Sequence, residues 1–346
     1  MKSQYNNLAA ILSLGISKKT VDGADLSQAD WGMLEPFLVS NHLEQITRRA
    51  FAMLCTEKQP LPPAEVVARF MDMGVRAIGN HVVRLKSTRA FSAKWVKDGW
   101  RPLAIGGMAY RHFYQVPALR NDDTLVCVPL CRNAPGDVKV DAFEAQTIDY
   151  PELRIEVPST AVGPFSTNPG EEADAILRSV FFGAPCELDS TLGLAYPNPE
   201  FMAVYHLYTA QQLLLHSRVP FIMLVDWIML LDTLVVRTEQ HFDWATFREH
   251  INDLGLLRFT QCFTVLAQRM TGVALAGSVA WLTENVTDKD VNYLYECLVA
   301  DAEPDSAPAE DKGRFSRFVG VLRNSKKYSR FSDVSPAKLA FSYLFS

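Results

Sequence analysis

Apolar residues recur at helical spacing through most of the first hundred positions. Trp31, Leu34, Phe37 and Leu38 follow Asp30, whose carboxylate suits a helix start, and a second run passes through Leu43, Ile46, Ala50 and Leu54. Polar and proline residues at 59–63 break the pattern. It resumes as predicted helices over 64–73 and 81–96, the second stopped by Gly99. From there the period shortens to two. Strands are predicted at 103–105, 124–128, 138–143 and 153–157, with a helix from Met108 to about Gln115 between the first two. AVGPFSTNPG at 161–170 reads as a boundary. Beyond Glu171 the helical period returns, with long runs at 200–217, 220–237, 244–254, 256–270 and about 289–299. The pattern predicts an α+β chain: a helical lead-in over 1–99, a small mixed-sheet unit over 100–168, and a helical region over 169–346.

Composition narrows the class without naming a chemistry. With 346 residues, 48% hydrophobic and 21% charged, the chain can fill a large core and is not a disordered protein. A net charge of -5 gives no general attraction for nucleic acid or an anionic membrane, and no specific nucleic-acid motif is present. The segment 221–236 carries Asp226 and Asp232, and 272–282 is too short to span a bilayer, so both read as packed core helices and no transmembrane segment is expected. The amino terminus lacks a signal-peptide pattern. Cysteines 55, 127, 131, 186, 262 and 297 form no C-x-x-C knuckle and read as reduced core thiols, in line with a cytoplasmic protein.

The chemistry concentrates in LAIGGMAYRHFYQVPALRNDDTLV at 103–126. Gly106 and Gly107 at a strand-to-helix turn would leave free N–H groups for a phosphate, with Arg111 or Arg120 adding a charge-assisted contact. Asp122 and Asp123 enter the next strand, where alternation gives each acid a different face; both could turn inward only from the preceding loop. In LRIEV, Leu153, Ile155 and Val157 line the apolar face while Arg154 and Glu156 point away. Glu156 is therefore the candidate third carboxylate, with Asp141 its rival. Together Asp122, Asp123 and Glu156 are the candidate Mg²⁺ ligands and catalytic acids.

At these residues the chain resembles a bacterial family of nucleotidyltransferases, in which a helical lead-in precedes a reduced polymerase-β-like unit and a helical tail. The family's strand ends in a lysine–glycine pair, followed by a tyrosine, an arginine and G-D-x-D. Here Gly106 stands where lysine is expected, Gly107, Tyr114 and Arg120 persist, Asp122 matches the first acid and Thr124 replaces the second. Glu156 matches the acidic strand, and Pro158 stands near the expected histidine. Downstream, FMAVYHLYTAQQLLLHSRVPFIMLVDWIMLLD resembles the family's long helix pair. Asp226 and Trp227 are kept, and the likeness continues through 242–259. The histidine positions fall near Thr209, Gln212 and Leu213 and the arginine position at Ile222, while His206, His216 and Arg218 sit on other registers.

Lysine, aspartate, histidine and arginine have gone while apolar scaffold residues remain. The resemblance therefore implies a nucleotidyltransferase-like protein that is catalytically degenerate, with a binding or regulatory role and weak or absent Mg²⁺ and NTP binding. The alternative it implies is an active Mg²⁺-dependent enzyme that moves a nucleotide from an NTP to a small-molecule, glycan-precursor or protein acceptor. Two further features invite structural tests. Asp226 within an apolar helix needs a cap, backbone donors or a base such as Arg218. The basic segment 312–338, with Lys312, Arg314, Arg317, Arg323, Lys326, Lys327, Arg330 and Lys338, reads as a solvated face, a clamp on acidic surface, or a phosphate-binding region.

Overall fold

The computed structural model describes residues 2–21, 24–131, 145–158, 187–216, 219–237, 242–275, 277–300, 314–332, 335–337 and 340. The fold is α+β and divides into two compact units: Met1–Met202 with Arg269–Val273, and Ala203–Gln268 with Ala274–Ser346.

The first unit opens with α1 (Lys2–Ser17), α2 (Trp31–Ser40), α3 (Glu44–Thr56) and α4 (Ala64–Lys97). Asp30 caps α2 as its spacing predicts, its carboxylate accepting from the Met33 N–H at 3.3 Å. Trp31, Phe51 and Phe70 then meet edge to face, with centroids 5.6 and 5.5 Å apart for Trp31–Phe51 and Phe51–Phe70, and lock α2, α3 and α4 together. The two helices predicted over 64–73 and 81–96 are one helix of 34 residues. Gly74 and Gly79 interrupt the sequence pattern without ending the helix, since a helical glycine costs only about 1 kcal/mol relative to alanine. Gly74 has a packing reason: a Cβ there would overlap the Arg48 side chain, whereas at Gly79 a Cβ would meet nothing within 4 Å.

Six strands follow: β1 (Trp100–Gly107), β2 (Thr124–Cys131), β3 (Gln146–Tyr150), β4 (Leu153–Val157), β5 (Glu187–Asp189) and β6 (Leu194–Tyr196). They form a single mixed sheet in the order β3-β4-β2-β1-β6-β5. β1 runs antiparallel to β2 and parallel to β6, β2 parallel to β4, and the pairs β3–β4 and β5–β6 are antiparallel hairpins at opposite edges. β4 has the alternation expected of it, with Leu153, Ile155 and Val157 buried and Arg154 and Glu156 exposed. Three expectations are corrected. The sheet does not stop at 168, because β5 and β6 lie in a stretch that was expected to be helical. The first two strands run longer than predicted, and the helix expected over 108–115 is a six-residue 3-10 helix, Met108–Phe113. The strand expected at 138–143, and Asp141 with it, lie outside the described residues.

α4 supports this sheet along its length. Phe91 and Trp95 join Leu125, Cys127, Leu153, Ile155, Leu194 and Tyr196 in one buried cluster. Side chains of α4 also hold the two edge hairpins: Arg84 Nε donates to the Glu152 carbonyl at 2.9 Å and Ser87 Oγ to the Pro151 carbonyl at 2.8 Å. Arg89 Nε donates to the Thr191 carbonyl at 3.0 Å, and Ser92 Oγ to that of Gly193.

The second unit is helical. Beside the greater part of α5 (Pro199–His216) it holds α6 (Ile222–Arg237), α7 (Trp244–Asp253), α9 (Asp288–Val299), α10 (Arg314–Arg323), α11 (Ser325–Phe331) and most of α8 (Leu257–Thr271). Trp227 is fully buried and donates to Thr264 Oγ1 at 2.9 Å. The basic tail acts here as a clamp on an acid: Asp290, on α9, pairs with Arg258 and with Arg330 of α11, while Lys326 and Arg330 lie 4.2 and 4.7 Å from the Tyr293 ring centroid. Among the described residues no helix is long and apolar enough to cross a membrane. Cys55, Cys127, Cys262 and Cys297 are free thiols.

Candidate functional site

The glycine pair is part of the ladder. Gly106 lies opposite Val126 and Gly107 opposite Leu125, just past a bulge that follows Ala104. Gly107 has φ 60° and ψ -125°, and a Cβ there would lie inside the van der Waals surface of the Thr124 carbonyl oxygen. These glycines are needed for the close approach of β1 to β2. The nest at an α-helix start expected of Gly106 and Gly107 does not form, since only the short 3-10 helix follows them.

Each of the three candidate acids has a separate place. Asp122 accepts from the Thr124 N–H at 2.9 Å through one carboxylate oxygen. The other oxygen lies 3.1 Å from Arg120 Nη1, an ion pair whose alignment falls short of a directed hydrogen bond. Asp123 is exposed; its side chain accepts from Thr124 Oγ1 at 3.3 Å, and its carbonyl accepts the Arg154 N–H at 2.7 Å, which starts the β2–β4 ladder. Glu156 stands beside Val126, four positions further along β2 than Asp122. Both aspartates precede β2, whose first residue is Thr124, and Glu156 stands further along the ladder. No group of three metal-ligating side chains occurs among the described residues.

What does gather at this end of the sheet is positive charge. Arg120, before β2, and Arg84, on the buried face of α4, are 5% and 7% exposed. Asn121 accepts from Arg84 Nη1, so the loop ahead of Asp122 is tied to α4. Arg111, on the 3-10 helix, is half-buried, and its Nη1 is buried with no hydrogen-bond partner among the described residues. Burial lowers the Arg111 guanidinium pKa, against the opposing pull of Tyr196 and Asp189. Burial, followed by the charges of Arg111 and Arg84, also pushes the His81 imidazole below its usual range. Glu44, at the start of α3, is held above the usual carboxylate range by burial; its own backbone hydrogen bond and the charges of His42, Arg84 and Arg120 act in the other direction. Arg84 and Arg120 thus act on Glu44, and Arg84 and Arg111 on His81, while Asp122 pairs with Arg120 and Asp189 acts on Arg111, a run of cationic groups offset in part by these acids.

The sequence reading named Arg111 and Arg120 but missed Arg84, Glu44, His81 and Asn121. The available signal was a polar window in the buried stripe of α4, where Arg84, Ser87 and Thr88 follow Phe70, Gly74 and Ala77. The residues of the helix pair have structural settings. His206 is fully buried, its Nε2 2.9 Å from the Met223 carbonyl and its ring stacked on Trp227. Asp226 is buried and engaged, and Tyr114 is buried as well. Arg218 and the His216 side chain lie outside the described residues. Comparison of the chain with protein-family models, curated proteins and solved structures found no significant match.

Proposed function

We propose that this chain is a nucleotidyltransferase-like protein that has lost metal-dependent transfer and binds a phosphate-bearing ligand, a nucleotide in the simplest case, at Arg84, Arg111 and Arg120. The reading rests chiefly on the buried Nη1 of Arg111, which has no hydrogen-bond partner among the described residues although guanidinium groups form strong charge-assisted bonds to phosphate. Arg84 is braced by Asn121 and the Glu152 carbonyl, and Arg120 by Asp122, so both are held in place before a ligand arrives. The active alternative needs Asp122, Asp123 and Glu156 to converge on one Mg²⁺, whereas Glu156 stands beside Val126, further along the ladder.

Calorimetric titration of ATP and of inorganic pyrophosphate, each with and without Mg²⁺, tests this. The expected result is binding at about 0.1–1 mM that is indifferent to Mg²⁺ and about tenfold weaker in Arg111→Gln. Tight Mg²⁺-dependent binding that Asp122→Ala or Glu156→Ala abolishes, or pyrophosphate release above the level of those variants, would replace the binding role with an enzyme.

A further inference from the structure

One face of α4 is exposed among the described residues of its unit. Val75, Ile78 and Val82 are 70%, 52% and 49% exposed, and their spacing of three and then four residues aligns them in one stripe down the helix. Gly79 is in the same stripe, with no atom within 4 Å of where a Cβ would stand. A glycine in a helix interior weakens the helix and is useful where another backbone must come near. Gly74 makes room for the Arg48 side chain; Gly79 has no such neighbour among the described residues.

We infer that this face docks a second copy of the chain, α4 against α4 in antiparallel orientation, with a two-fold axis at Gly79. Charge selects both the occupant and the direction. Asp72 and Lys86 are exposed and each lies one heptad from Gly79, on opposite sides; Asp72 also pairs with Arg76 of its own helix, at an exposed site where such a pair is weak. An antiparallel pair sets each copy's Asp72 on the other's Lys86, so the contact is made twice, as a two-fold interface requires. A parallel pair would oppose Asp72 to Asp72 and Lys86 to Lys86. It would also bring the exposed bases of 81–97, a helix half with no acid, alongside those of its own copy. The facing glycines let the two backbones approach to the ~8 Å lower end of helix packing. The apolar stripe is short beside the ~800 Å² per partner of a standard interface, so the dimer is weak, with a dissociation constant on the order of tens of micromolar.

Sedimentation velocity over a concentration series reads the association directly. The wild-type chain dimerises reversibly; Gly79→Leu and Ile78→Glu hold it monomeric; and Asp72→Lys weakens the dimer about tenfold, with recovery in Asp72→Lys/Lys86→Asp. In a Cys55→Ser background, Asp72→Cys mixed with Lys86→Cys yields a disulfide between the two variants, where parallel packing would yield Asp72→Cys homodimers. A wild-type chain that stays monomeric at about ten times that dissociation constant, or that binds anionic vesicles through this face instead, overturns the inference. A dimer indifferent to both Gly79→Leu and Ile78→Glu does so as well.

Discussion

Replacing Asp122 separates its two readings, as a structural anchor and as a metal ligand. Asp122→Ala removes the acceptor of the Thr124 N–H and the carboxylate beside Arg120 in one change. A hydrogen bond to a charged acceptor contributes about 1.5–3 kcal/mol, and removing one partner of a buried ion pair costs about 3–5 kcal/mol. The two losses overlap at one carboxylate, Arg120 has other contacts, and the Asp122 side chain is 12% exposed, so the expected cost is about 3 kcal/mol. Asp122→Asn keeps an acceptor for Thr124 and loses the charge, for about half that cost. The assay is hydrogen exchange resolved to peptides of β2, where loss of protection at Thr124–Cys131 reports the change locally and needs no two-state assumption. Exchange over β2 unchanged in Asp122→Ala, together with loss of Mg²⁺-dependent nucleotide binding, would refute the structural assignment.

The glycines give a contrast in sign: Gly107→Ala is destabilising by about 3 kcal/mol or more, from its positive φ and the Thr124 carbonyl, whereas Gly79→Ala stabilises by about 1 kcal/mol, both read from denaturant melts. Glu44 sets a pH dependence. Its folded pKa is raised above the usual 4.5, so its contribution is fully present below that value and is lost as pH rises through the folded pKa; Glu44→Gln should match wild-type stability near pH 4 and exceed it increasingly above. A Glu44→Gln protein with an unchanged stability-against-pH slope would count against a buried Glu44. Asp290→Ala leaves Arg258 and Arg330 without their shared acid, and limited proteolysis should then cut around α11 well before it cuts the wild-type chain.

Local chemistry was the part of the fold legible in the sequence. The Asp30 cap, the alternation in β4 and the long runs of α5 to α9 each follow from neighbours a few residues apart. The α4 helix was split because two glycines outweigh periodicity in a short window, and what Gly74 packs against lies on another helix. β5 and β6 have three residues each, too few to show a period. The candidate site failed for a related reason. Asp122 and Asp123 look like ligands in sequence, but Arg120, which neutralises one of them, reads equally well as a phosphate contact. Arg84 reaches Glu152 and Asn121 from 68 and 37 positions away, and no local pattern shows that pairing.

Because α4 holds the turn of the β3–β4 hairpin and that of β5–β6 on one rigid rod, it sets the distance between the two sheet edges. Neither hairpin depends for its position on the chain that leads into it, since hydrogen bonds from Arg84 and Ser87 locate one turn and those from Arg89 and Ser92 the other. Adding a single residue between Ser87 and Arg89 would turn one anchor pair by about 100° against the other and uncouple the two edges.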